Sequence, residues 1–560
     1  MAPQHSSLSC LTAVPLQPPG RLASTQAHAI LPPPVLTETL THRQKMLTFG
    51  GILLAMFLGA LDQTIVSTAL PRIIADLHGL DRFTWVATAY LVASTALVPI
   101  YGKLADMYSR RTIEVVAVSV FLLGSGLCGL AGEFGALPLL GDGMNQLVVF
   151  RAVQGLGGAG LFAMAFIIIA DLFPPAERGR YQGFTGAVFG TSSVLGPLLG
   201  GFLTDRGTGL IPGVAGWRLV FYVNLPLGLV ALWFILTQMP PLRPRTEPKA
   251  FDYLSAVLLM AGLGPLVVAL QLNKAQHGWT SPLTLGLLGG AAGALALFVV
   301  RSLRHENPIL NFGLFKNKVF RTANAALFLL GGAFLGVIIF EPLFMVNVLG
   351  ESATRAGASL IPLSLGVVTG SLLAGQMVSR FGHYKYWMLA GLTLLLGGLS
   401  LLATMPPTVS YTQVLIYLAV CGLGLGPTMP LYTLAVQNAT EPRLMGQATS
   451  ASQFFRQIGG AIAASLLGTV LTFTLAQSLP AAAAPATHRP TAAEAPPALP
   501  SVAARPDPAV QAAFSKAISR VYFFNIFLVV GGLVMTLFIP ELPLRKSNDG
   551  PSAREPEAEN

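Results

Sequence analysis

Residues 46–70 read MLTFGGILLAMFLGALDQTIVSTAL, a run of 25 residues with a single charge, Asp62. A helix rising 1.5 Å per residue crosses the hydrocarbon of a bilayer in about 20 residues, so this run is long enough to span one. The pattern recurs down the chain. Fourteen such runs lie at about 46–70, 83–105, 113–131, 145–170, 181–203, 219–237, 251–271, 282–300, 322–348, 356–378, 387–404, 412–435, 450–475 and 520–539. Composition agrees: 53% of the residues are hydrophobic and only 10% charged, against roughly 25% charged in soluble domains. So few ions cannot cover a water-facing surface. The expected fold class is an all-α polytopic membrane protein.

Residues 1–45 are rich in Pro, Ser, Thr and Ala without apolar periodicity, and read as a disordered tail. They lack the basic start and apolar core of a secretory signal. Thr41-His42-Arg43-Gln44-Lys45-Met46 reads as a natural beginning, which makes the upstream segment a candidate for a misassigned start. Between the last two spans lies a loop, 478–516, whose Pro480–Ala513 stretch is too rich in proline to be helical. Residues 541–560 form a short polar tail. The net charge of +10 does not point to nucleic acid, because the basic residues sit in short loops. One side collects Lys103, Arg110, Arg111, Arg178, Arg180, Arg243, Arg245, Lys249, Arg301, Arg304, Lys316, Lys318, Arg321, Arg380, Lys385 and Arg443. The other side's short loops hold Arg72, Arg82, Arg206, Arg218, Lys274 and Arg355. The richer side is expected to be cytoplasmic, with both termini inside and the 478–516 loop outside. Cys10, Cys128 and Cys421 form neither a disulfide framework nor a metal pattern.

An ionisable residue within a span is costly and marks a functional site facing the protein interior. Asp62 stands about 13 Å from the outer end of its helix. The alternative is a structural carboxylate bonded to its neighbours. In the fourth span, Val149-Phe150-Arg151-Ala152-Val153-Gln154-Gly155 places Arg151 about 9 Å from the outer end. The two charges share a depth and can pair if the first and fourth helices adjoin. A neighbouring arginine favours the charged carboxylate and burial disfavours it. Substrate arrival can shift that balance and expel or admit a proton, which is the physical core of an exchanger. Two further charges lie within spans. Glu341 either binds a cation or proton, or sits near the outer interface in water; Arg456 reads as lying a turn or two inside its span and reaching back to the cytoplasm.

The loop between the second and third spans, Gly102-Lys103-Leu104-Ala105-Asp106-Met107-Tyr108-Ser109-Arg110-Arg111, can latch two bundles. Gly102 permits close helix approach, and Asp106 can cap a helix or pair with Arg110 and Arg111. The fifth span carries Gly186, Gly190, Gly196, Pro197, Gly200 and Gly201, small residues that let helix backbones pack closely, with a proline as bend point. No GxxxxGK[ST] loop, HExxH pair or Ser-His-Asp set supports an ATPase or another enzyme.

These segments, in this order, resemble the major facilitator superfamily, in particular its fourteen-helix drug:proton antiporter branch. LDQTIVSTALP (61–71) is similar to that branch's helix 1 signature, GKLADMYSRR (102–111) to the loop 2–3 signature, and RAVQGLGGAG (151–160) to the helix 4 signature associated with proton transfer. GTSSVLGPLLGG (190–201) resembles the helix 5 antiporter motif, which importers generally lack, and WRLVFYVNLPLG (217–228) the entry to helix 6. The resemblance implies two six-helix bundles, 46–237 and 301–540, with two extra helices in the linker 238–300. It implies a drug or lipophilic-compound exporter driven by a proton gradient through alternating access, with no other cofactor. Asp62, Arg151, Gln154 and Glu341 are the expected coupling and substrate residues. Gly102, Asp106, Arg110 and Arg111 form the latch, and Gly190, Gly196, Pro197, Gly200 and Gly201 the helix 5 packing. The expected setting is a monomer in a bacterial inner membrane, with lipophilic small molecules, protons and lipid as partners. Met107 and Ser109 depart from the loop signature, and Ser379 replaces the acid of the equivalent loop in the second half, which weakens the expected latches. A lipid or metabolite exporter fits the same fold; a sensor or scaffold gains nothing from buried charges.

Overall fold

A chain in lipid has no water to satisfy its backbone, so each span must close its hydrogen bonds internally as a helix. The computed structural model describes residues 40–79, 82–211, 213–242, 250–272, 277–478 and 508–547. Fourteen helices there are long and apolar enough to cross a membrane. They are α1 (His42–Leu77), α2 (Trp85–Met107), α3 (Arg110–Leu130), α4 (Gly143–Leu172), α5 (Pro175–Gly207), α6 (Gly216–Gln238), α7 (Tyr253–Gln271), α8 (Pro282–Arg304), α9 (Lys318–Asn347), α10 (Thr354–Phe381), α11 (Tyr384–Ala403), α12 (Tyr411–Asn438), α13 (Pro442–Ser478) and α14 (Pro508–Leu537).

The helices run a few residues past several of the expected ends, and three boundaries have a local cause. Thr41 caps α1 in a reciprocal capping box with Gln44, so the first helix starts inside the segment read as disordered tail. Residues 1–39 and the loop from 479 to 507 lie outside the described residues, as do Arg243, Arg245, Lys249 and Lys274. The final helix begins at Pro508, inside the stretch read as loop. Proline is tolerated in a first helical turn, and PAVQAAFSKA supplies good helix formers behind it. α13 begins earlier than expected, through a short 3-10 turn at Pro442–Leu444.

α1–α6 form one bundle and α9–α14 the other. α8 packs on α7, and α7 leans on α2 and α13. The bundles meet along two seams, α5 on α10 and α2 on α13, so the second helix of each bundle faces the fifth of the other. Glycine makes these seams close. A Cβ at Gly102 would collide with Ser450, and one at Gly375 with the Gly179 carbonyl. Within the first bundle α4 is the innermost helix, with 83% of its central stretch buried, against 17% for α8 at the periphery. Most of what α4 carries, Arg151 and Gln154 included, is therefore buried in the protein.

Candidate functional site

α1 and α4 adjoin, and their two charges pair. Arg151 Nη1 donates to Asp62 Oδ2 at 2.6 Å, with both side chains almost wholly buried. The same nitrogen donates to Gln154 Oε1 at 2.7 Å, and Gln154 Nε2 donates to Asp62 Oδ1 at 2.8 Å. Asn224 on α6 is the third donor to the carboxylate, bonding Oδ1 at 3.1 Å, and also donates to Ser125 Oγ on α3 at 3.0 Å. The guanidinium also donates from Nε to the Val86 carbonyl and stacks 4.4 Å over the Tyr90 ring of α2. One carboxylate thus gathers α1, α4 and α6, and its arginine reaches α2. Such a network is stable while every member is satisfied, and removing one partner strands the others.

α5 grips α1 one turn beyond this pair. Thr64 Oγ1 donates to the Ser192 carbonyl at 2.9 Å. A Cβ at Gly196 would strike Thr64, and one at Gly200 would strike Thr68 and the Ile65 carbonyl. Gly190 faces the other way, against Ser364 and Val368 of α10. Pro197 lies within the continuous helix between these contacts. Gly201 is the exception to the expected packing set: nothing lies within 4 Å of its Cβ position, because it sits about 100° around the helix from Gly200.

At the end of the molecule carrying the 102–111 loop, Asp106 caps α13. Its carboxylate accepts from Gly446 N at 2.7 Å and Gln447 N at 2.9 Å, an anion placed at a helix N-terminus. Arg110 pairs with Asp171 at 2.9 Å and stands 4.0 Å from Asp106. Lys103 donates to Asn307 at 2.5 Å. Arg111 takes no part in this latch; its guanidinium bonds the Leu236 carbonyl at the end of α6. The second seam has a neutral counterpart, where Ser379 Oγ accepts from Arg180 N at 3.1 Å. Between the two, Gln182 donates to Gln437 at 2.8 Å, and Gln437 donates to Thr449 and to the Phe166 carbonyl at 3.1 Å each.

The sequence profile of the Major Facilitator Superfamily matches residues 52–464. The chain belongs to the major facilitator superfamily. It is 37% identical to "Multidrug transporter protein MdtP" of Bacillus subtilis (strain 168) over 76% of this chain and 75% of that protein. It is 38% identical to "Multidrug resistance protein 3" of the same organism over 78% and 81%. Among solved structures, the proton:xylose symporter XylE superposes with a TM-score of 0.60 at 15% identity, covering 89% of this chain and 96% of that one. A bacterial homologue of the human lysosomal transporter Spinster, inward-facing and unoccupied, gives 0.54 at 17%, covering 89% and 98%. These two likenesses concern the fold.

Three further charges within the spans of the major facilitator body bear on the sequence reading: Glu341 and Glu114 are buried and Arg456 is half-buried. Glu341 on α9 has no solvent exposure, which removes the reading of a carboxylate in water near the interface. Its Oε2 accepts from Tyr522 at 2.6 Å and its Oε1 has no hydrogen-bond partner. It belongs wholly to the second bundle and stands apart from the Asp62 network. Arg456 also departs from expectation. It lies eleven residues beyond Met445, about 17 Å or three turns into the helix rather than one or two, and is half-buried. Glu114 on α3 was not singled out in the sequence; it is fully buried with neither carboxyl oxygen hydrogen-bonded. Tyr90, Ser125 and Asn224 were missed because neutral polar residues in an apolar run carry no electrostatic signal. The one available signal for Asn224 was its place in the 217–228 segment.

Proposed function

We propose that this major facilitator protein is a secondary exporter of drugs or other lipophilic compounds, taken out in exchange for protons by alternating access. The names of its Bacillus subtilis relatives support the substrate class. The observation that carries the coupling is the Asp62 carboxylate, held by three donors from two other helices and adjoining the α1–α5 contact. As an anion it holds α4 and α6 against α1. A proton replaces the charged acceptor with a neutral acid, weakens the hold on Arg151, and frees α1 to shift against α5. A substrate that reaches this region favours one of the two states and so exchanges with the proton. No other cofactor is needed. The 102–111 loop end is the cytoplasmic side of a bacterial inner membrane, both termini are inside, and the protein works as a monomer in the lipid bilayer.

The test is substrate-induced proton release from purified protein in weakly buffered detergent, read by a pH indicator over a panel of lipophilic cations and neutral drugs. The native chain and Glu341→Gln should release protons, and Asp62→Asn should not. Normal release from Asp62→Asn would refute the assignment and move the coupling role elsewhere, with Glu341 the first alternative.

A further inference from the structure

Arg456 is a cation without a counter-ion. Its Nε has no hydrogen-bond partner, and its Nη2 makes one bond, at 3.3 Å, to the neutral Gln453. No acidic group among the described residues pairs with it. Both other carboxylates of the membrane interior discussed with the transport path are already engaged. Asp62 is paired with Arg151. Glu341 bonds Tyr522, and it lies ten residues along α9 from Gly331, whose Cα faces the Arg456 backbone, a separation of about 15 Å. A guanidinium without a counter-ion inside a span is costly, and such residues face a cavity or a partner.

Arg456 does face a cavity. It lines a narrow pocket of about 30 Å³ between the bundles, walled by Phe189 of α5, Leu327 and Phe334 of α9, Val367 of α10 and Met429 of α12. The wall is otherwise apolar; the hydroxyl of Thr428 is turned to the Leu425 carbonyl at 2.6 Å. α12 is interrupted beside it at Gly426 and Pro427, a place where the helix can bend. The next residue, Gln457, accepts from Thr95 of α2 at 3.0 Å, so a ligand at Arg456 lies beside a bond between the bundles.

We infer that this pocket, widened as the bundles part, is the binding site for a lipophilic organic anion whose carboxylate or sulfonate supplies the counter-ion of Arg456. The inference rests on the export reading for the direction of transport and gives it a substrate class. The apolar wall takes the hydrophobic body, and the guanidinium selects the charge. A lipophilic cation of the same shape is repelled, since nothing on this wall is acidic.

The probes are tritiated 1-naphthalenesulfonate, its trimethylammonium analogue and neutral naphthalenemethanol, with binding to purified full-length protein measured by equilibrium dialysis. The native protein should bind the sulfonate at least about tenfold more tightly than the cation. Arg456→Gln should lose about tenfold or more in sulfonate affinity and keep the neutral probe, as expected for a buried charge pair losing one member. Arg456→Lys should fall between. Should Arg456→Gln fold poorly, labelling of Met429→Cys in the otherwise native chain remains, and the sulfonate should protect it while the cation does not. Equal affinity for the cation, an unchanged Arg456→Gln, or an unprotected Met429→Cys would each overturn the inference. Displacement of the sulfonate by millimolar chloride alone would also overturn it, by reducing the site to one for small anions. Export from proteoliposomes separates the two readings. Arg456-dependent sulfonate binding without export of any probe sinks the exporter and keeps the site. Export of the cation or neutral probe without sulfonate binding does the reverse.

Discussion

The latch can be weakened without touching the transport path. Asp106→Asn keeps the shape of the side chain but leaves one oxygen to meet the two N–H groups of Gly446 and Gln447, now accepted at 2.7 and 2.9 Å. The amide nitrogen must then face a donor. Losing one capping bond costs about 1 kcal/mol, and losing the negative charge at the start of α13 about 1 kcal/mol more. The sum, about 2 kcal/mol, is roughly a thirtyfold shift in the closed-to-open ratio. Ser450 is buried against Gly102 and becomes accessible when the seam parts. A Ser450→Cys reporter, in a chain with Cys10→Ser, should therefore be labelled by a thiol reagent roughly thirtyfold faster when Asp106→Asn is added, provided opening is fast relative to labelling. Cys128 and Cys421 are buried and supply a slow background. Unchanged melting temperature would separate opening of the seam from unfolding. Labelling at the native rate in Asp106→Asn would refute the idea that this carboxylate holds the seam.

Three other outcomes follow from the same contacts. Gly196→Leu should reduce export far more than expression, because its side chain would strike Thr64, while Gly201→Leu should leave export near native, since nothing lies within 4 Å of that position; equal activities would place the α1–α5 contact outside the transport cycle. Asp62→Asn should lower stability by up to about 3–5 kcal/mol, the range for stranding one member of a buried pair, measured as the denaturant midpoint in detergent; a midpoint that does not move would mean Arg151 finds another acceptor. An impermeant thiol reagent on whole cells should label Ala483→Cys and spare Ser547→Cys, and the opposite pattern would invert the assigned orientation.

How much of this was legible in the sequence depended on charge. A carboxylate or guanidinium inside an apolar run stands out, so Asp62, Arg151 and Glu341 could be singled out, and matched depth suggested the first pair. Helix ends were less legible. Residues 446–453, GQATSASQ, are polar enough to look like loop, yet nearly all are buried in α13 at the seam between bundles. That clipped the expected start of the helix and put Arg456 near a surface when it is close to the middle. Apolarity marks what faces lipid; a seam between two bundles follows packing and hydrogen bonding. The same reasoning explains Gly201. Glycines at 196, 200 and 201 look alike in sequence, but only the pair four residues apart shares a helix face.

α5 is where the pieces join. Its first half lies on the other bundle, with Gly179 facing Gly375, Gly183 and Gly186 facing Ser371, and Gly190 facing Ser364 and Val368. Its second half lies on α1, through Gly196 and Gly200, with Pro197 inside that contact at a position that donates no backbone hydrogen bond. On the α5 side both contacts are made by glycines against small or β-branched side chains, so neither interlocks bulky side chains from both helices. The polar ties there are light: Ser371 to the Gly183 carbonyl at 2.9 Å, Arg180 N to Ser379 at 3.1 Å, and Thr64 to the Ser192 carbonyl at 2.9 Å. A shift of α1 when Asp62 changes its hold on Arg151 is therefore transmitted to the α5–α10 seam by a single helix. The α2–α13 seam is different, because Asp106 anchors it with a charge and two N–H groups where Ser379 offers α5 one neutral acceptor. The weaker seam is the one joined to Asp62, so under the proposed coupling movement should begin along α5 and α10 and reach the Asp106 latch afterwards.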